Sequence, residues 1–319
     1  MDVHLVAVQA AIEPDAYTSE AAFRERTLEL AQAAVAGLDP HTPRVVAFPE
    51  AYALPLVFWL ETPPAVRDAP TALAAGMRLL AGALRLRPRE LLRRPLPAAL
   101  YRLRAPAVAS VYLRVFQEAA RAAGAYLVAG SLFAPLMDEE PARGLHALGP
   151  EAYNWLAVFS PRGRVLARLP KLRLTASEQR AGLQPGRFGP HAIRTRLGTL
   201  GVLICLDAFH EALVERVDAA GAWLLVQPSA NAAAWEGPWT ADARRVEGQV
   251  WLEEGLAAKL TDREHLRYGV NPMLNGRFYE LRFEGKSSIA AAARHLALAD
   301  EPRGDGIVHA TVELPGGGR

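Results

Sequence analysis

Short apolar runs alternate along the chain with stretches of helical periodicity, and this alternation restricts the fold to an α/β architecture. His4 to Gln9, Arg44 to Phe48, Ala125 to Leu132 and Ala222 to Gln227 read as strands. So do Trp155 to Phe159 with Arg164 to Leu169, joined by a Ser160-Pro161-Arg162-Gly163 turn, and Ile193 to Arg196 with Leu200 to Cys205. Leu266 to Asn271, Ser287 to Ala290 and Gly306 to Val312 supply late strands. Helical spacing runs from Ser19 to Ala36, capped by Thr18 or Ser19, and again over Ser110 to Ala123, Ala208 to Ala220 and Trp239 to Leu260. No linker interrupts this pattern. The sequence therefore predicts one domain over residues 1–314, with a proline- and arginine-rich helical insertion at about 51–107 and a frayed glycine-rich tail at 315–319.

Three reactive side chains fall at the ends of predicted strands. Val45, Val46 and Phe48 run into Pro49 and Glu50; Leu169 and Pro170 deliver Lys171; Val202, Leu203 and Ile204 deliver Cys205, the only cysteine. Cys205 then sits at a strand-to-helix elbow, where a side chain is presented and backbone N–H groups point at whatever it attacks. A carboxylate can take a thiol proton, an ammonium can hold an oxyanion, and a thiolate can form a thioester. Each residue also has a plain alternative: Cys205 as a small buried apolar group, and Glu50 and Lys171 as surface charges.

The surroundings of the three residues resemble the nitrilase superfamily of carbon–nitrogen hydrolases. The resemblance rests on Phe48-Pro49-Glu50, on Leu169-Pro170-Lys171-Leu172-Arg173-Leu174, and on Gly201 to Asp207 followed by Glu211, Gly221-Ala222 and Pro228-Ser229-Ala230. Gly130-Ser131, Asn154, Gly186, Gly198 and Phe283 to Ile289 add matches in the same order, which raises the specificity of motifs that are weak alone. It implies a four-layer αββα sandwich and a Glu50-Lys171-Cys205 triad. It further implies a second site carboxylate at Glu178, the Leu206 backbone N–H as an oxyanion donor, and pairing into homodimers or higher homo-oligomers. The sequence departs from the family pattern at Phe209-His210-Glu211, at Arg244-Arg245-Val246-Glu247-Gly248 and in the long insertion after Glu50.

The activity this implies is hydrolysis of a small amide or N-carbamoyl compound through a cysteinyl thioester. Leu206-Asp207 after the cysteine resembles the amidase and carbamoylase branches, where nitrilases commonly carry Trp-Glu. The alternatives are a nitrile hydrolase, a soluble acyltransferase using the same thioester, and a non-catalytic scaffold. Because the insertion leaves the strand directly after Glu50, Tyr52, Phe58 and Trp59 are expected in the wall of a substrate pocket.

Composition narrows the field. A net charge of +2 with 22% charged residues speaks against a nucleic-acid partner. A lone cysteine excludes an intramolecular disulfide and points to the cytoplasm. No apolar run is long enough for a bilayer, so no membrane partner is expected. The eight histidines are scattered without ligand spacing, and Glu280 breaks the phosphate-loop pattern ending in Gly285-Lys286-Ser287. Neither a metal nor a cofactor is predicted.

Overall fold

The computed structural model describes residues 1–84, 96–140, 143–189 and 191–315. The arginines expected at 85, 87, 89, 93 and 94 and the tail at 316–319 lie outside the described residues.

The chain opens with β1 (Asp2–Ile12), a helix α1 (Glu20–Ala33) and β2 (Arg44–Ala47). Ser19 caps α1 by accepting the Ala22 N–H at 3.1 Å. Four helices follow: α2 (Leu54–Trp59), α3 (Pro64–Arg67), α4 (Ala72–Leu84) and the long α5 (Leu96–Ala123), then β3 (Tyr126–Val128). The helix expected from Ser110 thus begins about four turns earlier, at Leu96, inside the region read as insertion. The strands β4 (Leu132–Glu140), β5 (Gly144–Phe159) and β6 (Val165–Pro170) complete the first half, with Gly163 closing the β5–β6 turn at φ 73°.

The second half contains α6 (Ala176–Arg180), β7 (Ala192–Thr195), β8 (Gly198–Val202), α7 (Glu211–Ala219), β9 (Ala222–Val226) and the short β10 (Ser229–Ala230). A small hairpin of β11 (Pro238–Trp239) and β12 (Asp242–Val246) precedes α8 (Glu247–Glu254) and α9 (Leu256–Lys259). The sequence predicted continuous helix here. Arg245 instead lies over the Trp239 ring at 5.4 Å across the hairpin, and Gly255, whose added Cβ would meet the Trp251 carbonyl at 2.1 Å, separates the two helices. The late strands are β13 (Tyr268–Asn271), β14 (Met273–Phe278), β15 (Leu281–Phe283), β16 (Ser288–Ala291), β17 (Arg294–Leu298) and β18 (Gly306–Glu313).

These strands form two large sheets. The first runs β10-β14-β1-β2-β3-β5-β4, with β15 on β14, β18 on β1 and β6 on β5; the second runs β17-β16-β13-β9-β8-β7. β1 shows why they stack as four layers. Val3, Leu5 and Ala7 enter the core shared by the two sheets, while Val6, Val8 and Ala10 enter the core under α1 and α5. On the far side Leu203, Leu225 and Ala290 pack with Val214 and Val217 of α7 and Leu256 of α9. The expected αββα sandwich is what the chain forms. Among the described residues no helix is long and apolar enough to cross a membrane.

Candidate active site

Lys171 directly follows β6, and Glu50 and Cys205 stand three residues past the ends of β2 and β8. Glu50, Lys171 and Cys205 are 4%, 1% and 7% exposed, so water screens this cluster little. The Lys171 Nζ donates to Glu50 Oε1 at 2.7 Å and to both Glu178 oxygens at 3.0 and 2.9 Å. Asn154 of β5 bridges the same carboxylates, its Nδ2 donating to Glu50 Oε1 and to Glu178 Oε1 at 2.7 Å each. Glu50 Oε2 accepts the Ala230 N–H at 3.1 Å, and the Glu50 carboxylate and the buried Cys205 thiol are close enough for each to shift the other's titration. All four predicted side chains therefore meet.

Local structure holds each one. The turn after Glu50 places Ala51 at φ 57°, and Ser131 stabilises it by accepting the Ala51 N–H through Oγ at 2.8 Å and the Ala53 N–H through its carbonyl at 3.0 Å. That approach requires Gly130, because a Cβ there would meet the Pro49 carbonyl at 2.7 Å and Tyr52 Cβ at 2.3 Å. Glu178 sits at the third position of α6 in a capping box with Thr175, whose N–H and hydroxyl donate to Oε2 at 2.8 and 3.0 Å.

Cys205 itself has φ 47°, a left-handed conformation that non-glycine residues adopt rarely and at a cost. The helix expected from Ala208 is split: Cys205–Phe209 form a 3-10 turn, and α7 starts only at Glu211. Asp207 explains the break. Its buried carboxylate accepts the N–H groups of Ile204 at 3.2 Å, Leu172 at 3.0 Å and Arg173 at 2.6 Å, tying the cysteine turn to the loop after Lys171. Among the described residues the Leu206 N–H has no backbone partner outside its own turn.

The electrostatics follow from burial. Burial raises the Glu50 carboxyl above its ordinary range; Lys171 pulls it down and Glu178 pushes it up, with a net upward shift. Burial also pushes the Cys205 thiol up, Glu50 adds to this, and Lys171 only partly offsets it. Lys171 is held protonated, because its carboxylate neighbours outweigh the burial that opposes its charge. Burial raises Asp207 to about 7 despite its three backbone donors.

The pocket-wall residues fall elsewhere. Tyr52 is fully buried in an aromatic cluster with Phe48, Phe23 and Phe116, its hydroxyl 3.1 Å from that of Thr27. Trp59 is buried too, donating from Nε1 to the Tyr279 hydroxyl at 2.7 Å. Neither lines either of the two cavities described below. Phe58 does, in an apolar cavity of about 310 Å³ formed with α4, α5, Tyr101 and Arg180. A second cavity, of about 520 Å³, lies beside the cysteine turn and is lined by Leu206, His210, Leu172 and Arg173 among others. Among the described residues no cluster of His, Cys, Asp and Glu could hold a metal ion.

The sequence profile of carbon–nitrogen hydrolases matches residues 5–254, the span that carries all four clustered side chains. The chain belongs to the carbon–nitrogen hydrolase family. Its fold is similar to that of a carbon–nitrogen hydrolase from Helicobacter pylori G27, with TM-score 0.67 and 17% identity over 98% of this chain and 90% of the other. Nit3 of Saccharomyces cerevisiae, a member of branch 10 of the nitrilase superfamily, gives 0.59 and 17% over 98% and 90%. A variant of the amidase from Nesterenkonia sp. AN1, in which acrylamide has added to the active-site cysteine, gives 0.59 and 18% over 99% and 93%. A comparison with curated protein sequences finds no match. The family and fold read from the motifs are thus borne out. In this carbon–nitrogen hydrolase, the sequence reading left two buried side chains without a role: Asn154, a lone amide at the start of the apolar run ending β5, and Asp207, an acid two residues past the cysteine.

Proposed function

We propose that this carbon–nitrogen hydrolase cleaves a small non-peptide amide or N-carbamoyl compound through a thioester on Cys205. What carries the reading is the hydrogen bond of the Lys171 ammonium to Glu50 in a buried cluster whose charges also act on the Cys205 thiol. A thiol whose pKa is pushed up is a poor nucleophile at neutral pH without a base. Glu50, pushed up from the carboxylate range, is a base better matched to that task than a surface carboxylate.

In the first half-reaction Glu50 takes the thiol proton as sulfur bonds to the amide carbon. Lys171 Nζ and the Leu206 N–H hold the oxyanion, each donor contributing about 10²–10³ in rate. The C–N bond then breaks, and Glu50 returns the proton to the departing ammonia or amine. In the second half Glu50 deprotonates a water that attacks the thioester, and the proton passes back to the thiolate as the acid leaves. Glu178 and Asn154 hold Lys171 and Glu50 at these distances throughout. No metal or cofactor takes part. Pairing into homo-oligomers and a cytoplasmic location are part of the same proposal.

Ammonia release from matched nitrile, amide and N-carbamoyl compounds tests the reading. Turnover of the amide or the N-carbamoyl member is expected; turnover confined to nitriles overturns it.

A further inference from the structure

β9 is apolar through Val226, and the chain then places a single amide, Gln227, at a position that is 1% exposed. Its backbone is already paired: the Gln227 N–H donates to the Val270 carbonyl at 2.8 Å, and its carbonyl accepts the Ser229 hydroxyl at 3.1 Å. The side chain reaches the cysteine turn instead. Nε2 donates to the Cys205 carbonyl at 3.3 Å, while among the described residues Oε1 has no partner. A buried acceptor without a partner costs stability that an apolar side chain of the same shape would not, so packing alone does not account for an amide here.

What the amide does follows from the geometry of one peptide unit. The carbonyl of Cys205 and the N–H of Leu206 belong to the same planar trans unit and point in opposite directions. A donor fixed on the carbonyl therefore fixes the direction of the N–H, which faces away from Gln227. Cys205 has φ 47°, and a strained residue keeps its conformation only where its surroundings over-determine it. The backbone before the cysteine is held by other groups: the Cys205 N–H donates to the Pro228 carbonyl at 2.9 Å, and the Ile204 N–H to Asp207 at 3.2 Å. The placement of the sulfur and the direction of the Leu206 N–H thus rest on different partners.

We propose that Gln227 is a positioning residue whose amide locks the Cys205–Leu206 peptide so that the Leu206 N–H is aimed at the oxyanion before substrate arrives. This rests on the thioester reading above. Gln227 acts through the peptide and takes no part in bond breaking.

Gln227→Met tests the lock, since it keeps the length of the side chain and removes the donor. With an amide substrate kcat is expected to fall ~10–100-fold and KM to change little, because the affected contact forms only when charge develops on oxygen. Alkylation of Cys205 by iodoacetamide is the control. There sulfur displaces iodide from a CH₂ carbon and no oxyanion forms, so the rate should match wild type. An unchanged kcat, or kcat and alkylation falling together, overturns the proposal while leaving the thioester reading intact. Gln227→Glu is the second variant: its carboxyl donates only while protonated, so its kcat relative to wild type should fall as pH rises, and a ratio equally low at every pH overturns the lock. Should the hydrolase reading itself fail, capture of butyraldehyde decides. The thiol adds across the aldehyde carbonyl, sulfur to carbon and proton to oxygen, and the adduct shields Cys205 from iodoacetamide. Shielding that needs ~10-fold more aldehyde in Gln227→Met than in wild type supports the lock; equal shielding in the two, or none in either, overturns it.

Discussion

Glu50 and Tyr52 are two residues apart on one turn and enter opposite kinds of environment. Glu50 joins a polar cluster in which Lys171, Asn154 and Ala230 all donate to its carboxylate. Tyr52 joins an aromatic cluster in which Phe48, Phe23, Phe116 and Tyr17 surround its ring at centroid distances of 5.3 to 6.0 Å. The left-handed Ala51 between them reverses the chain. Adjacency in sequence to a reactive residue therefore does not determine whether a side chain faces the site. The polar cluster is built for charge placement, with partners on several strands; the aromatic cluster provides shape and stability.

Substitutions in the two clusters should fail in different ways. The largest effect is expected from Lys171→Met, which removes an oxyanion donor and leaves Glu50 and Glu178 buried against each other. Activity should drop ~10²–10³-fold or more, with a stability loss of about 3–5 kcal/mol, read by ammonia release and urea unfolding. Unchanged unfolding would mean the carboxylates have another partner. In the aromatic cluster, Trp59→Ala should cost about 3–5 kcal/mol of stability while leaving the rate ratio between small and bulky amides unchanged. A shifted ratio would restore Trp59 to the pocket wall.

Smaller effects sharpen the same contrast. Tyr52→Phe loses the contact with the Thr27 hydroxyl and should cost about 1 kcal/mol with kcat unaltered. Glu50→Gln, two residues away, should lower kcat ~10²-fold without a comparable loss of fold. The pH profile separates the two clusters as well. Glu50 must be ionised to act as base, and its pKa lies above the ordinary range, so the acid limb of kcat/KM should fall above that of a surface glutamate. Burial is the first cause and Glu178 a further upward push, so Glu178→Gln should move the limb to lower pH while lowering kcat.

The smallest expected effect is on stability against pH. Asp207 has its folded pKa raised to about 7, so the folded state binds the extra proton. Its contribution is fully present below the ordinary carboxylate range and is lost as pH rises through about 7. The wild-type urea midpoint should fall over that window relative to Asp207→Asn, and parallel profiles would contradict the assignment.

How much of this was legible in the sequence follows from what each segment buries. β1, β2 and β9 carry apolar residues on both faces because they lie between two cores, and they read plainly as strands. β4 did not, since Pro135 and the acidic run Asp138 to Glu140 mask its pattern, and β14 was hidden by Asn275, Gly276 and Arg277. The positions of Glu50, Lys171, Cys205 and Glu178 could be read from strand ends and the surrounding motifs. The roles of Asn154 and Asp207 could not, because both act by hydrogen bonds to groups far away in sequence, such as Glu50 and the Leu172 N–H. The direction of Tyr52 was equally hidden, since it depends on the close approach of Gly130 and Ser131.

The most direct measurement is intact-mass analysis of the enzyme quenched in acid during turnover of an amide substrate. The account predicts a population heavier by the acyl group, with the added mass mapping to Cys205, and neither added mass nor turnover in a folded Cys205→Ala variant. Full turnover by that variant, or an acyl group on any other residue, would contradict it.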